Sequence, residues 1–234
     1  PASEAGLTIK GWAEFGLAVT DAANDADDRI FLVGGRYHVE DAVGVGTFSM
    51  KFHNAVLMFE CPTTTLGSGT WHRKLDSNAY SPVRFPAVSM LNGRIYIVAG
   101  RSGTAGQTGS GGTPSTGIQM YQPDPTSTNP ALATADAGQF PALTEAVYYP
   151  MFASLGGKLY IWCGWDGQAV PTGTRGLHSF EPNGGGVGGT VTRLCDADWG
   201  TGFGGGVAHD GRLWIISGIG HGTETLPLNL RYQP

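Results

Sequence analysis

Short apolar runs, separated by polar and glycine-containing segments, divide the chain into strand-like stretches. One type recurs four times: a basic residue, a run of β-branched, aromatic or other apolar residues, and then a closing glycine. β-Branched and aromatic residues favour strands, and glycine tolerates the unusual backbone angles at a strand end. The pattern therefore predicts four equivalent buried strands, named the b strands. They read RIFLVGGR at 29–36, RIYIVAGR at 94–101, KLYIWCGW at 158–165 and RLWIISGI at 212–219.

Another apolar stretch, the predicted a strand, precedes each b strand. Three of these pairs are separated by two turn residues, Asn92-Gly93, Gly156-Gly157 and Asp210-Gly211, and the first pair by the acidic segment 21–28. These dipeptides favour tight hairpins because both residues can adopt positive φ. The a strands read FGLAVT at 15–20, FPAVSML at 85–91, YPMFASL at 149–155 and FGGGVAH at 203–209.

A third phrase follows each b strand and predicts a c strand that ends in Phe or Tyr, then Glu or Gln, then Pro. The copies are VLMFECP at 56–62, GIQMYQP at 117–123, GLHSFEP at 176–182 and LNLRYQP at 228–234. A d strand is expected after each c strand, and its first copy, GTWHRKL at 69–75, carries Trp71. Four strands per repeat are typical of a propeller blade.

The spacing of the repeats supports the same interpretation. The closing residues Gly35, Gly100, Gly164 and Gly218 are 65, 64 and 54 residues apart, and β repeats of about 50 residues indicate propeller blades. The last repeat reaches the end of the chain in its c strand, whereas residues 7–13 precede the first a strand. We therefore predict that residues 7–13 pair antiparallel with 228–233 and complete the last blade.

The predicted fold is an all-β, four-bladed β-propeller that forms one domain over residues 1–234. The blades are expected at approximately 15–75, 85–136, 150–194, and 204–234 together with 7–13.

These phrases resemble kelch repeats in the hairpin turn, the apolar strand, the glycine pair, the later aromatic-x-Pro and the Trp of strand d. The resemblance covers nearly the whole chain and implies a kelch-like propeller. Only the first repeat keeps the pair Gly34-Gly35, and the Trp of strand d is missing around 131–136 and 190–194. Kelch propellers generally have more than four blades, so a ring shared between chains is the alternative to a compact four-bladed ring.

Composition excludes several classes of function. The 234-residue chain has a formal net charge of -5, which disfavours a nucleic-acid partner because such a partner requires a basic surface. Hydrophobic residues make up 41%, enough for a buried core rather than disorder. There is no apolar run of about 18 residues and no secretory signal, so we expect no membrane insertion and a cytoplasmic or virion-assembled location.

The sequence contains no strong signature of catalysis or metal binding. Cys61, Cys163 and Cys195 form no CxxC pair, so plain thiols are expected rather than disulfides or a zinc site. The His residues form neither HxH nor HExxH, and no GxSxG elbow is present. The GxGxxG match at 184–189 lies in a predicted c–d loop, outside the strand-to-helix context that dinucleotide binding requires. We expect no catalytic residue, no metal and no cofactor.

The b–c and d–a connections of such a propeller lie on one face, and residues just past each b-strand glycine should lie near its central opening. Arg, Tyr and Trp are enriched at binding hot spots. The expected binding residues are Arg36, Tyr37, His38, Arg101, Trp165, Asp166 and His221. Carboxylates expected near the same face are Glu40, Asp41, Glu145, Asp166 and Asp198. A pair of them could act on a sugar, but a rim of solvated acids is the favoured interpretation.

The sequence therefore predicts a non-enzymatic binding module for a protein or glycan partner. Two alternatives stay open. Charge-poor loops rich in Gly, Thr and Ala also suit a virion structural component, such as a phage tail or capsid-surface protein in a larger assembly. The kelch resemblance also allows a sugar-acting enzyme, a mutarotase or an oxidase, although the Tyr, His and Cys pattern of the copper-dependent galactose oxidase type is not matched.

Overall fold

The computed structural model describes residues 3–4, 7–20, 29–41, 46–52, 56–60, 69–74, 81–104, 111–123, 134–135, 139–167, 174–197, 201–216, 218–220 and 229–234. These residues form β-strands joined by turns and loops, so the predicted all-β class is confirmed for them. Within the same residues, no helix is long and apolar enough to cross a membrane.

The described residues contain 24 strands. In chain order they are β1 (Ser3–Glu4), β2 (Leu7–Ala13), β3 (Gly16–Val19), β4 (Arg29–Val33), β5 (Arg36–Glu40), β6 (Phe48–Phe52), β7 (Val56–Glu60), β8 (Thr70–Lys74), β9 (Val83–Arg84), β10 (Ala87–Leu91), β11 (Arg94–Val98), β12 (Arg101–Ser102), β13 (Thr113–Pro114), β14 (Ile118–Tyr121), β15 (Thr134–Ala135), β16 (Met151–Leu155), β17 (Lys158–Gly164), β18 (Thr174–Pro182), β19 (Gly189–Asp196), β20 (Thr201–Gly202), β21 (Gly205–His209), β22 (Arg212–Ile216), β23 (Ile219–Gly220) and β24 (Asn229–Tyr232).

Four successive antiparallel sheets place the predicted a, b and c strands side by side, and sheets 1 to 3 add the d strand. Sheet 1 has the order β3-β4-β7-β8, sheet 2 β10-β11-β14-β15, sheet 3 β16-β17-β18-β19, and sheet 4 β21-β22-β24. The predicted turns Asn92-Gly93, Gly156-Gly157 and Asp210-Gly211 join the first two strands of sheets 2 to 4, with every turn residue at positive φ. The d strands of sheets 2 and 3 form without the Trp that marks the first copy.

Each pair of neighbouring sheets encloses a hydrophobic core, because successive strand residues point to opposite faces. In β11, Ile95 and Ile97 pack toward sheet 1, whereas Tyr96 and Val98 pack toward sheet 3. In β17, the same alternation sends Leu159 and Ile161 toward sheet 2, and Tyr160 and Trp162 toward sheet 4. Sheets 2 and 3 are therefore buried on both faces.

Residues of all four a strands line one cleft with a volume of about 360 Å³. Two glycines allow neighbouring a strands to approach closely. A Cβ on Gly16 of β3 would lie 2.0 Å from Val88 Cγ2 of β10, and a Cβ on Gly206 of β21 would lie 2.3 Å from the Phe152 carbonyl oxygen of β16. No larger residue fits at either position without movement of the adjacent strand.

The N-terminal strand does not complete sheet 4, contrary to the prediction. Strand β2 pairs with β1 on one side and β5 on the other, and aligns Trp12 with Tyr37 and Ala13 with Arg36. Strands β5 and β6 form a hairpin inside the segment predicted as a long b–c loop. Residues 7–13 do form a strand, as predicted, but the partner of that strand depends on tertiary contacts.

Candidate functional site

The four residues that lead into the a strands share one unusual backbone conformation. Glu14, Phe85, Tyr149 and Phe203, named the junction residues, have φ values of 63°, 53°, 54° and 63°. Left-handed backbone is uncommon for residues other than glycine, and a bulky side chain there is an outlier. Such conformations persist only where surrounding structure enforces them, and they cluster at binding and catalytic sites.

Backbone hydrogen bonds connect the junction residues from one repeat to the next. The N–H of Phe85 donates to the carbonyl of Glu14 at 2.7 Å, that of Tyr149 to Phe85 at 3.1 Å, and that of Phe203 to Tyr149 at 3.3 Å. Residues far apart in the chain are thereby brought together at one end of the a strands. Their side chains converge there, on the face where the predicted binding residues were expected.

Three of the junction side chains form an aromatic column. The ring centroids of Phe85 and Tyr149 are 3.6 Å apart, as are those of Tyr149 and Phe203. Two further rings extend this aromatic cluster. The ring of Trp165 packs edge-on against Phe203 with centroids 5.1 Å apart, and the ring of Tyr148 lies nearly parallel to that of Trp165 with centroids 6.2 Å apart. Aromatic contacts of this kind add to the stabilisation that burial provides.

A repeated cross-strand pair lies beside each junction residue. One member precedes the junction residue, and the other follows the glycine that closes the b strand. The pairs are Ala13 with Arg36, Arg84 with Arg101, Tyr148 with Trp165, and Gly202 with Ile219. Three of the predicted binding residues therefore occupy equivalent positions around the junctions.

The charged side of the site is centred on the carboxylate of Glu14. Arg36 Nη2 contacts Glu14 Oε1, and Arg84 Nη1 lies 3.3 Å from Glu14 Oε2. Both arginine side chains are almost fully buried, with exposed fractions of 7% and 4%. Burial lowers the pKa of the Arg84 guanidinium, as do the nearby charges of Arg36 and Arg101, whereas Glu14 opposes this shift.

Arg101 connects the charged side to the aromatic side. Its Nε donates a hydrogen bond to the Gly112 carbonyl at 2.9 Å, and its guanidinium lies 5.3 Å from the centre of the Tyr148 ring. A guanidinium within about 6 Å of an aromatic ring is attracted by the negative face of the ring. The site therefore runs continuously from Glu14 through the arginines to the aromatic column.

Tyr149 lines the site with its ring and also carries a hydroxyl. Burial raises the pKa of Tyr149 above its ordinary value of 10.0, and the Glu14 carboxylate raises it further, while Arg84 and Arg36 act in the opposite direction. The hydroxyl therefore stays protonated at neutral pH and can donate a hydrogen bond.

A pocket with a volume of about 240 Å³, named the axial pocket, opens beside the junction residues. Its lining residues are Phe15, Phe85, Pro86, Tyr149, Pro150, Phe203 and Gly204. Phe15 and Phe203 are 37% and 40% exposed. The lining comes from all four repeats and is aromatic or proline apart from Gly204.

The predicted binding residues differ in their accessibility. Arg101, Trp165 and Asp166 are half-buried at the site, and His38 is half-buried in β5. Arg36 and Tyr37, expected on an exposed loop, are instead buried in β5, because the predicted b–c loop forms a hairpin that packs on β2. His221 lies outside the described residues.

Sequence reasoning missed Glu14, Arg84, Phe85, Tyr149 and Phe203. A signal was present in repeats two to four, where the Phe or Tyr that precedes Gly or Pro at the start of the predicted a strand is the junction residue. In the first repeat that aromatic is Phe15, and the junction residue is Glu14 before it. That pattern was assigned to the strand itself. Its left-handed backbone and the convergence of the four positions become visible only in the folded chain.

The predicted carboxylates do not form one solvated rim. Glu40 is buried and accepts a hydrogen bond from the Gly46 N–H at 3.1 Å, and Glu145 pairs with Arg193 at 3.1 Å. Asp41 is exposed, and hydrogen bonds from Ser49 and Thr47 lower its pKa. Asp198 lies outside the described residues. Within the described part of the chain, no three His, Cys, Asp or Glu residues are grouped so that they could hold a metal ion.

Neither the models of known protein families nor the sequences of characterised proteins give a match to this chain.

Proposed function

We propose that the protein is a non-enzymatic binding module built as a kelch-like β-propeller. It holds a protein or glycan partner on the face formed by the b–c and d–a connections. The observation that carries this proposal is the convergence of the four junctions, which gathers Arg36, Arg101 and Trp165 around one site. Arginine and tryptophan contribute strongly to binding where they are partly shielded from water.

The propeller part of the proposal is supported by the repeated packing of the sheets. Sheets 2 and 3 bury both faces, whereas sheets 1 and 4 each leave apolar side chains on the face away from their neighbour. Leu17 and Val19 are 47% and 48% exposed on sheet 1, and Val207 and Ile216 are 44% and 50% exposed on sheet 4. We propose that these two faces pack together and close a ring of four blades.

The binding part of the proposal is supported by the chemistry of the site. Arg101 is half-buried and donates to the Gly112 carbonyl at 2.9 Å, so its guanidinium is held in place before a partner arrives. The aromatic side offers flat apolar surface beside it. Preorganised sites of this kind bind more tightly because less conformational freedom is lost on association.

A paired substitution tests the proposed binding face. The variant R101A/W165A should weaken association with the partner by at least about tenfold, equal to about 1.4 kcal/mol. Association is measured by comparing wild type and variant on a glycan array and in affinity purification from the native source. The matched control is R231A/W71A, because Arg231 and Trp71 are both exposed and lie outside the site. Equal binding by both double variants would reject the proposed face.

A further inference from the structure

The axial pocket has the chemistry of a sugar-binding site. We propose that it binds one pyranose ring of a glycan. This inference rests on the proposed function, because it names the ligand class of the same face.

The apolar lining matches the faces of a pyranose ring. A pyranose presents C–H groups on its two faces, and these pack well against flat aromatic and proline surfaces. Phe15 and Phe203 offer such surfaces at the pocket opening, and both are more than one-third exposed. Pro86 and Pro150 extend the apolar lining. Small-molecule sites are concave and mostly apolar, with a few placed polar groups that set orientation.

The polar groups beside the pocket match the hydroxyl edge of a pyranose. Tyr149 is part of the lining and carries a hydroxyl that can donate a hydrogen bond. The Glu14 carboxylate acts electrostatically on Tyr149 from beside the lining. Arg36 and Arg84 hold that carboxylate in a fixed orientation. Because two guanidinium groups flank Glu14, a cationic ligand is disfavoured relative to a polyhydroxylated neutral ring.

The backbone conformation of the junctions favours a preformed pocket. Glu14, Phe85, Tyr149 and Phe203 all keep left-handed backbone, and consecutive members are hydrogen-bonded to each other. Strain held in place by surrounding structure is typical of ligand-binding positions. Folding therefore orders the aromatic walls in advance, and a single sugar ring can bind without ordering a loop.

Saturation-transfer difference NMR and isothermal titration calorimetry test the inference on the full chain. The probes are the methyl pyranosides of glucose, galactose, mannose and N-acetylglucosamine. At least one should bind wild type, and F203A should weaken its binding at least about tenfold. F203L should weaken it similarly, because leucine keeps the apolar volume but lacks a flat face. W71A is the control, because Trp71 is 53% exposed on sheet 1, outside the pocket.

Three outcomes overturn the pyranose site: no pyranoside binds, F203A and F203L bind as wild type does, or W71A weakens binding equally. If F203A fails to fold by circular dichroism, F203L decides the question. The two proposals fail separately. If R101A/W165A loses partner binding but no pyranoside binds wild type, the proposed face is retained and the sugar site is rejected. If a pyranoside binds but R101A/W165A leaves partner association unchanged, the sugar site is retained and the proposed partner-binding face is rejected.

Discussion

At the scale of single residues, Glu14 combines a left-handed backbone conformation with ion pairs to two arginines. It occupies the junction position that is aromatic in the other three repeats, and its carboxylate contacts two nearly buried arginines. Burying a charge is costly unless an opposite charge and hydrogen bonds compensate for lost hydration. Glu14 therefore stabilises the site by allowing Arg36 and Arg84 to remain inside the protein.

Replacing Glu14 by alanine should lower the free energy of unfolding by about 3 kcal/mol, because it leaves two buried guanidinium groups without this carboxylate. Urea denaturation measures the change. Glu181→Ala is the matched control, since the Glu181 carboxylate pairs with Lys158 at 2.8 Å but is 57% exposed. An exposed pair contributes only about 0–1 kcal/mol. Similar losses in the two variants would contradict the structural role of Glu14.

At the scale of elements, close approach of neighbouring a strands depends on glycine. Gly206 lies where β21 passes the backbone of β16, and a Cβ there would overlap the Phe152 carbonyl. Strand β3 approaches β10 in the same way at Gly16. The glycines in these strands therefore have a packing role. The glycine content of the chain, taken alone, suggests only that glycines occupy turns.

Gly206→Ala should reduce the free energy of unfolding by about 1–3 kcal/mol, because one strand must shift to relieve the overlap. Gly11→Ala is the control, since Gly11 also lies in a strand but a Cβ there meets nothing within 4 Å. The control should stay within about 0.5 kcal/mol of wild type. Thermal unfolding followed by circular dichroism compares the two, and a harmless Gly206→Ala would show that β21 does not pack closely on β16.

Strand partners illustrate the limit of sequence patterns at this scale. The a–b hairpins were predictable because they join neighbouring segments through turns whose residues favour positive φ. The partner of residues 7–13 was predicted incorrectly, because the expected partner was 228–233 whereas β2 pairs with β5. A period-two pattern specifies that a strand exists, but every strand edge offers the same hydrogen-bonding groups to a partner.

At the scale of the whole molecule, the outer faces of sheets 1 and 4 determine whether the four sheets close into a ring. Both faces carry apolar side chains that are about half exposed. Large exposed apolar patches mark surfaces that pack against something. Ring closure within one chain would bury both faces together.

Val207→Lys tests this closure. If sheets 4 and 1 pack together, a buried unpaired lysine should lower the free energy of unfolding by at least about 2 kcal/mol. Val187→Lys is the matched control, since Val187 has the same exposed fraction, 44%, but lies in a c–d turn. It should stay within about 0.5 kcal/mol of wild type. Chemical denaturation measures both. Equal stability of the Val207→Lys and Val187→Lys variants would contradict closure within one chain. If light scattering shows that Val207→Lys converts an oligomer to monomers, the result supports a ring shared between chains.

The sequence by itself determined the a, b and c strands of the four sheets and the tight a–b turns of sheets 2 to 4, because apolar strand runs and turn chemistry are local properties. It also placed Arg36, Arg101 and Trp165 at equivalent positions, since each follows a closing glycine. Only the tertiary structure decided that residues 7–13 pair with β5. It alone brought Arg84 and the four junction residues together, because strand pairing and sheet packing depend on contacts between distant parts of the chain.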